Sequence, residues 1–252
     1  MMAQGVLVSV VMPNYNGARF IGSAIESVLM QTYGNIELII VDDHSNDASL
    51  EIIQKYCKED SRVSVIKLTK NSGVAVARNT GIGAAQGQYI ALLDSDDVWE
   101  KDKIELQLDL AITKGSDLVY CSYGFINENG LSVKKPFIVP CTTDYKRMLS
   151  VSVISCSTVF AREKLLKDHP FSTHYYHEDY LLWMQLLKLP LSVAGNQKVL
   201  AHYRQVSGAR SSNKKVAAKE RWNIYRRALE MNVVESIYYF LQYGIHGVMK
   251  YI

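Results

Sequence analysis

Over the first hundred residues, short apolar runs alternate with longer segments of helical period. The runs at 6–12, 36–41, 63–68 and 89–93 are rich in Val, Ile and Leu. Such runs suit parallel strands covered on both faces. The segments between them, 18–31, 47–57 and 73–86, read as helices. In the first, Ile21, Ala24, Ile25, Val28 and Leu29 share one face. Asp47 is the expected N-cap of the second. Repeated strand–helix–strand units predict an α/β domain with a mostly parallel, doubly wound central sheet flanked by helices. After Asp97 the rhythm loosens. A helix is expected at 102–113, strands at 118–123 and 153–160, and a loop or small hairpin at 127–143. A helix at 179–187 and a strand at 198–205 follow. From Val216 onward the pattern predicts two helices broken near Asn232, with no internal repeat.

Composition adds bounds. The 252 residues are 48% hydrophobic and 21% charged, enough for a sizeable folded core. A net charge of +3 gives no ground for a nucleic-acid partner. Its distribution says more. Arg210, Lys214, Lys215, Lys219, Arg221, Arg226 and Arg227 face Glu220 alone in one stretch. That stretch suits phosphates or an anionic lipid surface, and equally a solvated helix face. Cys57, Cys121, Cys141 and Cys156 are scattered, with no CxxC pair and no His at ligand spacing. Reduced cytosolic thiols are expected rather than zinc or disulfides. No basic leader is read at the N-terminus, and the run at 6–12 is far short of the ~20 residues a membrane span needs. In the tail, Val234, Ile237, Tyr238, Leu241, Ile245, Val248 and Ile252 recur at helical spacing opposite Glu235, Gln242, His246 and Lys250. Three occupants fit that apolar stripe: a membrane surface, the protein's own domain, or a second copy in a homodimer.

In an open α/β sheet, ligands bind beyond the carboxyl ends of the strands. The informative residues follow each apolar run: Pro13-Asn14-Tyr15-Asn16-Gly17, then Asp42-Asp43-His44-Ser45, then Lys70-Asn71-Ser72-Gly73 leading to Arg78-Asn79, then Asp94-Ser95-Asp96-Asp97. Any one cluster is ordinary turn chemistry. Jointly they mark one edge as a site. Three carboxylates within four residues repel one another unless a cation intervenes. Hard oxygen ligands suit Mg²⁺ or Mn²⁺ shared with substrate phosphates. Asp97 is the expected N-cap of the helix starting near Glu100, leaving Asp94 and Asp96 for a metal and a ribose. Arg78 could reach a nucleotide or its phosphates. His177-Glu178-Asp179 precedes an apolar helix. One of these carboxylates suffices as a cap, which frees the other as a general base.

Taken in order, these clusters resemble the family 2 glycosyltransferases of GT-A fold. The matching stretches are 10–16, 27–33, 40–45, 71–79, 92–97 and 177–180. The looser match at His202-Tyr203-Arg204 and Arg210-Ser211-Ser212, with Trp222, Tyr225 and Tyr238-Tyr239-Phe240, resembles bacterial transferases that build surface polysaccharides such as teichuronic acid or O-antigen. The resemblance implies a catalytic domain at 1–208, with a nucleotide-binding half at 1–100 and an acceptor-side half at 101–208. Basic and amphipathic helices at 209–252 would follow as a C-terminal extension. It implies that Pro13 and Tyr15 line a base pocket, that Asp42 meets uracil, and that Arg78 steadies the nucleotide. Asp94 would meet the ribose or a metal-bound water, and Asp96 would ligate Mn²⁺ or Mg²⁺. Asn16, Asn71, Ser95 and Glu178 join the nucleotide-sugar set, and Arg204 would contact the diphosphate. Asp179 would be the base of an inverting transfer of a hexose or N-acetylhexosamine. The donor would be a UDP-sugar and the acceptor a polyprenyl-diphosphate-linked saccharide at the inner face of the cell membrane, with the protein cytoplasmic and peripheral. A sugar-1-phosphate nucleotidyltransferase would need a Gly-rich, Arg-containing loop where the chain reads Met12-Pro13-Asn14. A non-catalytic sensor or signalling domain would not need a second acidic site near 179.

Overall fold

The structure is a computed structural model that describes residues 5–206 and 214–249. The four apolar runs form β1 (Val8–Asn14), β2 (Ile36–Asp42), β3 (Val63–Lys67) and β4 (Tyr89–Leu92). They pair in parallel in the order β3-β2-β1-β4. The helices between them are α1 (Ile21–Leu29), α2 (Ser49–Glu59) and α3 (Val74–Ala84). Side chains alternate across a strand, so an apolar run feeds two cores at once. Val8, Val10 and Met12 of β1 join Ile21, Ile25 and Val28 of α1 on one face, while Val11 joins the residues of α3 on the other. Gly81 sets how closely α3 can lie on the sheet. A Cβ there would stand 2.5 Å from Val11 Cγ1 and 3.2 Å from Val41 Cγ2.

The second half is β5 (Val98–Trp99), α4 (Lys103–Lys114), β6 (Leu118–Ile126), β7 (Ser132–Phe137) and α5 (Tyr145–Ser150). Then come β8 (Phe160–Arg162), α6 (Glu163–Asp168), α7 (Glu178–Leu186) and β9 (Val193–Arg204). The full order is β3-β2-β1-β4-β8-β6-β9-β5, with β7 on β6 alone. Here the sheet turns mixed. β8 runs antiparallel to β4 and β6, β5 runs antiparallel to β9, and only β6 and β9 pair in parallel. The stretch expected as a small hairpin contains β7, antiparallel to β6.

Two local expectations are corrected. The strand expected at 153–160 is mostly irregular: a single 3-10 turn, Cys156–Thr158, precedes β8. Serine and threonine hydroxyls compete with strand pairing, and Thr158 Oγ1 donates to the Ser155 carbonyl at 2.6 Å. Asp47 is not the N-cap of α2, which is Ala48. Its carboxylate accepts from Ser49 N and Ala18 N, at 2.9 and 3.0 Å, tying α2 to the loop before α1.

The tail forms α8 (Lys214–Asn223), a π turn at Ile224–Ala228, and α9 (Val233–Met249). Ile224 and Tyr225 are fully buried in the α3–α7 core, and Tyr225 donates to the Leu149 carbonyl at 2.6 Å. Of the basic stretch, Lys215, Lys219 and Arg227 are exposed. Arg221 is buried, with its guanidinium 3.3 Å from the Tyr180 ring centroid. α9 seats Ser236, Tyr239 and Phe240 inward and turns Val234 (77% exposed), Ile237, Tyr238, Leu241 (60%) and Ile245 (60%) outward. No helix among the described residues is long and apolar enough to cross a membrane.

Candidate active site

The loops at the carboxyl ends of β1 to β4 are cross-linked into one surface. Asp42 is fully buried, and its carboxylate accepts from Asn14 Nδ2 at 3.0 Å and from Ser45 Oγ and N at 2.6 and 3.1 Å. These bonds lock the first two loops together, so the carboxylate expected to meet a base has an intramolecular role here. Asn16, in the left-handed region at φ 52°, accepts from Asn46 N at 2.9 Å. Pro13 is buried beneath, and Tyr15 projects outward, 49% exposed. Asp43, which the pattern did not single out, accepts from Ser72 N and Gly73 N, both at 2.7 Å, and so fixes the third loop where α3 begins. Asn71 stands exposed beside it. Gly17 closes the ring. A Cβ there would lie 2.3 Å from Asn14 Oδ1 and 3.1 Å from Ser95 Oγ, so the first loop can meet the acidic loop only without a side chain.

Asp94, Ser95 and Asp96 are half-buried at the rim, while Asp97 is buried. Asp97 does not cap a helix. It accepts from Ser157 Oγ at 2.6 Å and from Arg204 N at 2.8 Å, and α4 begins only at Lys103 with Asp102 as N-cap. Ser157 also accepts from Asp94 N at 3.1 Å, so the 3-10 turn supports the loop from below. Burial, then the Asp96 and Asp94 charges, hold the Asp97 carboxyl well above the usual range. Burial and the neighbouring Asp94 push Asp96 up to about 6. Arg204, expected at a diphosphate, is itself buried. Its guanidinium donates to the carbonyls of Asp96 at 2.7 Å and Asn127 at 3.1 Å, and lies 4.8 Å from the Phe20 ring centroid. These carbonyl bonds shape the loop. The looser-matching residues Arg210, Ser211 and Ser212 lie outside the described residues.

Arg78 is the central cation. Its side chain is 5% exposed, donating from Nη2 to Asp94 at 2.6 Å and from Nη1 to Glu178 at 2.8 Å. Burial opposes its charge, but Asp94, Cys156, Glu178 and Asp179 outweigh that and raise its pKa further. It was expected to steady a nucleotide; what it holds here is the acidic loop and the start of α7. Glu178 is the first residue of α7 and does not cap it through a side chain. Asp179 is half-buried and accepts from its neighbour Tyr180 N at 2.7 Å. It makes no ion pair among the described residues. One guanidinium thus brings the loop after β4 and the start of α7, 100 residues from Arg78, to one cleft.

The carboxylates at 94–97 fit a divalent cation. Burial and the Asp94 charge raise the Asp96 pKa against the weaker pull of Arg204 and Arg78, so a cation at this carboxylate would favour its ionised form. No three His, Cys, Asp or Glu side chains among the described residues surround one point. That suits Mg²⁺ or Mn²⁺, which take one or two carboxylates and complete their shell with phosphate and water.

Residues 9–169 match the model of the family described as glycosyl transferase family 2. The chain belongs to that family. This family 2 glycosyltransferase is 36% identical over 97% of its length to TuaG of Bacillus subtilis, a glycosyltransferase ascribed to teichuronic acid biosynthesis, of which 97% is covered. It is also 36% identical, over 97% of its own chain and 95% of the other, to WfgD of Escherichia coli, a UDP-Glc:alpha-D-GlcNAc-diphosphoundecaprenol beta-1,3-glucosyltransferase. Among solved structures the transferase is similar to S. aureus TarS in complex with UDP-GlcNAc, with a TM-score of 0.75 at 22% identity, covering 94% of this chain and 71% of that one. It is similar too to the mannosyltransferase PcManGT of Pyrobaculum calidifontis in complex with GDP-Man and Mn²⁺, with a TM-score of 0.71 at 16% identity, covering 92% and 69%. These likenesses establish the GT-A glycosyltransferase fold, as the order of motifs led one to expect.

Proposed function

We propose that this transferase moves a hexose or N-acetylhexosamine from a UDP-sugar to an undecaprenyl-diphosphate-linked saccharide, inverting the anomeric centre, in the synthesis of a surface polysaccharide. The observation that carries this reading is the Arg78 bridge, which sets Asp94 and Asp96 in one cleft with Asp179. The activity of its relative WfgD supports the donor and the acceptor class. Tyr15, exposed over the Asp42–Ser45 cross-link, would cover the nucleotide base. Asp96, with Asp94 beside it, would hold a divalent ion, which supplies positive charge where the leaving diphosphate gains negative charge. Asp179 would accept the proton of the acceptor hydroxyl. The hydroxyl oxygen bonds to the anomeric carbon on one face as the bond to UDP breaks on the other, and the configuration inverts.

A lipid-linked acceptor gives the outward face of α9 a use. An exposed apolar stripe beside the exposed Lys215, Lys219 and Arg227 suits an anionic bilayer surface, and would place the enzyme peripherally at the inner face of the membrane. The test is nucleotide release from UDP-glucose, UDP-galactose, UDP-GlcNAc and UDP-GalNAc with Mn²⁺, with and without GlcNAc-diphosphoundecaprenol. One donor should respond to the acceptor, and the product should carry the β linkage. Release indifferent to every acceptor, or a retained α configuration, would remove the reading.

A further inference from the structure

Two acidic groups from remote parts of the chain share one arginine in this fold. Asp94 stands on the donor side of the cleft, and Glu178 lies next to Asp179 on the acceptor side. Arg78 pairs with both, with Asp94 at 2.6 Å and Glu178 at 2.8 Å, and its guanidinium lies 5.3 Å from the Phe171 ring centroid. The next residue adds a second clamp. Asn79 donates to the Phe171 carbonyl at 2.9 Å and accepts from Phe171 N at 2.8 Å. Phe171 in turn meets Trp183 of α7 edge to face, with centroids 5.8 Å apart. Two successive residues of α3 therefore fix α7 at its first residue and along its length. Glu178 is 6% exposed, and a carboxylate buried to that degree is destabilised when a cationic partner is removed. Asp179 makes no ion pair among the described residues, so its position follows the backbone anchored at the residue before it.

We infer that the Arg78–Glu178 pair is a positioning device: it holds the first turn of α7 so that Asp179 faces the anomeric carbon, and it does not bind the donor. The inference rests on Asp179 being the base. A misplacement of about 1 Å in a reacting group can cost on the order of 10²-fold in rate. Loss of the pair should therefore appear in kcat and not in nucleotide affinity.

Glu178→Gln keeps the shape and removes the charge; Arg78→Lys keeps the charge and can reach only one of the two carboxylates. For each variant and the double variant, UDP affinity is read by calorimetry. Two rates are read: transfer to the acceptor, and hydrolysis of the donor, in which water replaces the acceptor and Asp179 takes its proton. Hydrolysis and affinity need no acceptor, so an error in the acceptor assignment shows separately, as transfer failing while hydrolysis proceeds. Expected for Glu178→Gln is a loss of about 10²-fold in kcat for hydrolysis and transfer alike, with UDP affinity within about threefold of wild type. Arg78→Lys should retain part of the rate, and the loss in the double variant should fall well short of the product of the two single losses, because the residues share one contact while Arg78 also holds Asp94. A tenfold or greater loss of UDP affinity in Glu178→Gln, or rate losses that multiply in the double variant, would overturn the inference.

Discussion

Asp179 is half-buried and makes no ion pair among the described residues, which suits a proton acceptor. Asp179→Asn is expected to lower kcat for transfer by about 10²–10⁴-fold, the usual worth of a placed base, and to leave UDP affinity unchanged by calorimetry. Transfer within tenfold of wild type would remove Asp179 from that role. Gly17 is a second test at this scale. In Gly17→Ala the methyl group would meet Asn14 Oδ1 at 2.3 Å and Ser95 Oγ at 3.1 Å, so Asn14 must shift and the first loop must move off the acidic loop. Donor KM should rise several-fold and Tm should fall, since Asn14 is buried and bonds Asp42. Asp94, Asp96 and Asp179 were legible in the sequence because carboxylates bunched after apolar runs are rare and costly. Asp43, Asn79 and Ser157 were not. They act on backbone groups or side chains 29 to 92 residues away, as in Asp43 with Ser72 and Asn79 with Phe171, and such bonds leave no spacing signature. For Arg78 and Arg204 the sequence marks a cation at the cleft but not what it holds. Burial decides that.

At the scale of elements, α4 begins with a buried cation. Lys103 Nζ lies 3.9 Å from the Trp99 ring centroid and donates to Gln107 at 2.5 Å. Burial pulls its pKa down to about 8 from an ordinary 10.5. Below pH 8 folded and unfolded chains are both protonated, and the cost of burying the charge is present in full. Between pH 8 and 10.5 the unfolded chain holds more protons, so stability rises with pH, by at most roughly 3 kcal/mol. Urea midpoints should increase from pH 7.5 to 10, and Lys103→Met should flatten that rise; an unchanged slope would place the titration elsewhere. α9 is the other element with a separable role. Replacing Leu241 and Ile245 by Asp should abolish co-sedimentation with phosphatidylglycerol vesicles and leave hydrolysis of the donor intact. Wild-type protein that ignores such vesicles would free α9 for another partner. The periodic helices and two-sided strands were legible because each repeats one signal many times. The 153–160 stretch was not: Val153 and Ile154 look like a strand, but the serines around Cys156 divert the backbone into a turn beneath Asp94.

For the whole molecule, the parallel half could be read from the strand–helix rhythm, while the mixed half could not, because β8 has only three residues and joins β4 to β6 across long stretches of chain. The fusion of the tail with the larger core was equally hidden: Ile224 and Tyr225 sit in a short π turn whose surroundings look basic. At this scale the metal proposal has its test. EDTA should stop transfer and Mn²⁺ restore it, and Asp96→Asn should blunt the response to added Mn²⁺; activity indifferent to chelation would dismiss the ion. One strand outside the main order has a consequence for crowding. β7 pairs with β6 only, and it presents Lys134, Lys135 and Pro136 along its length. A second molecule approaching in register would bring like charges together and would find no amide hydrogen at the proline. Crowded together, these molecules would stand shoulder to shoulder without templating fibres on one another.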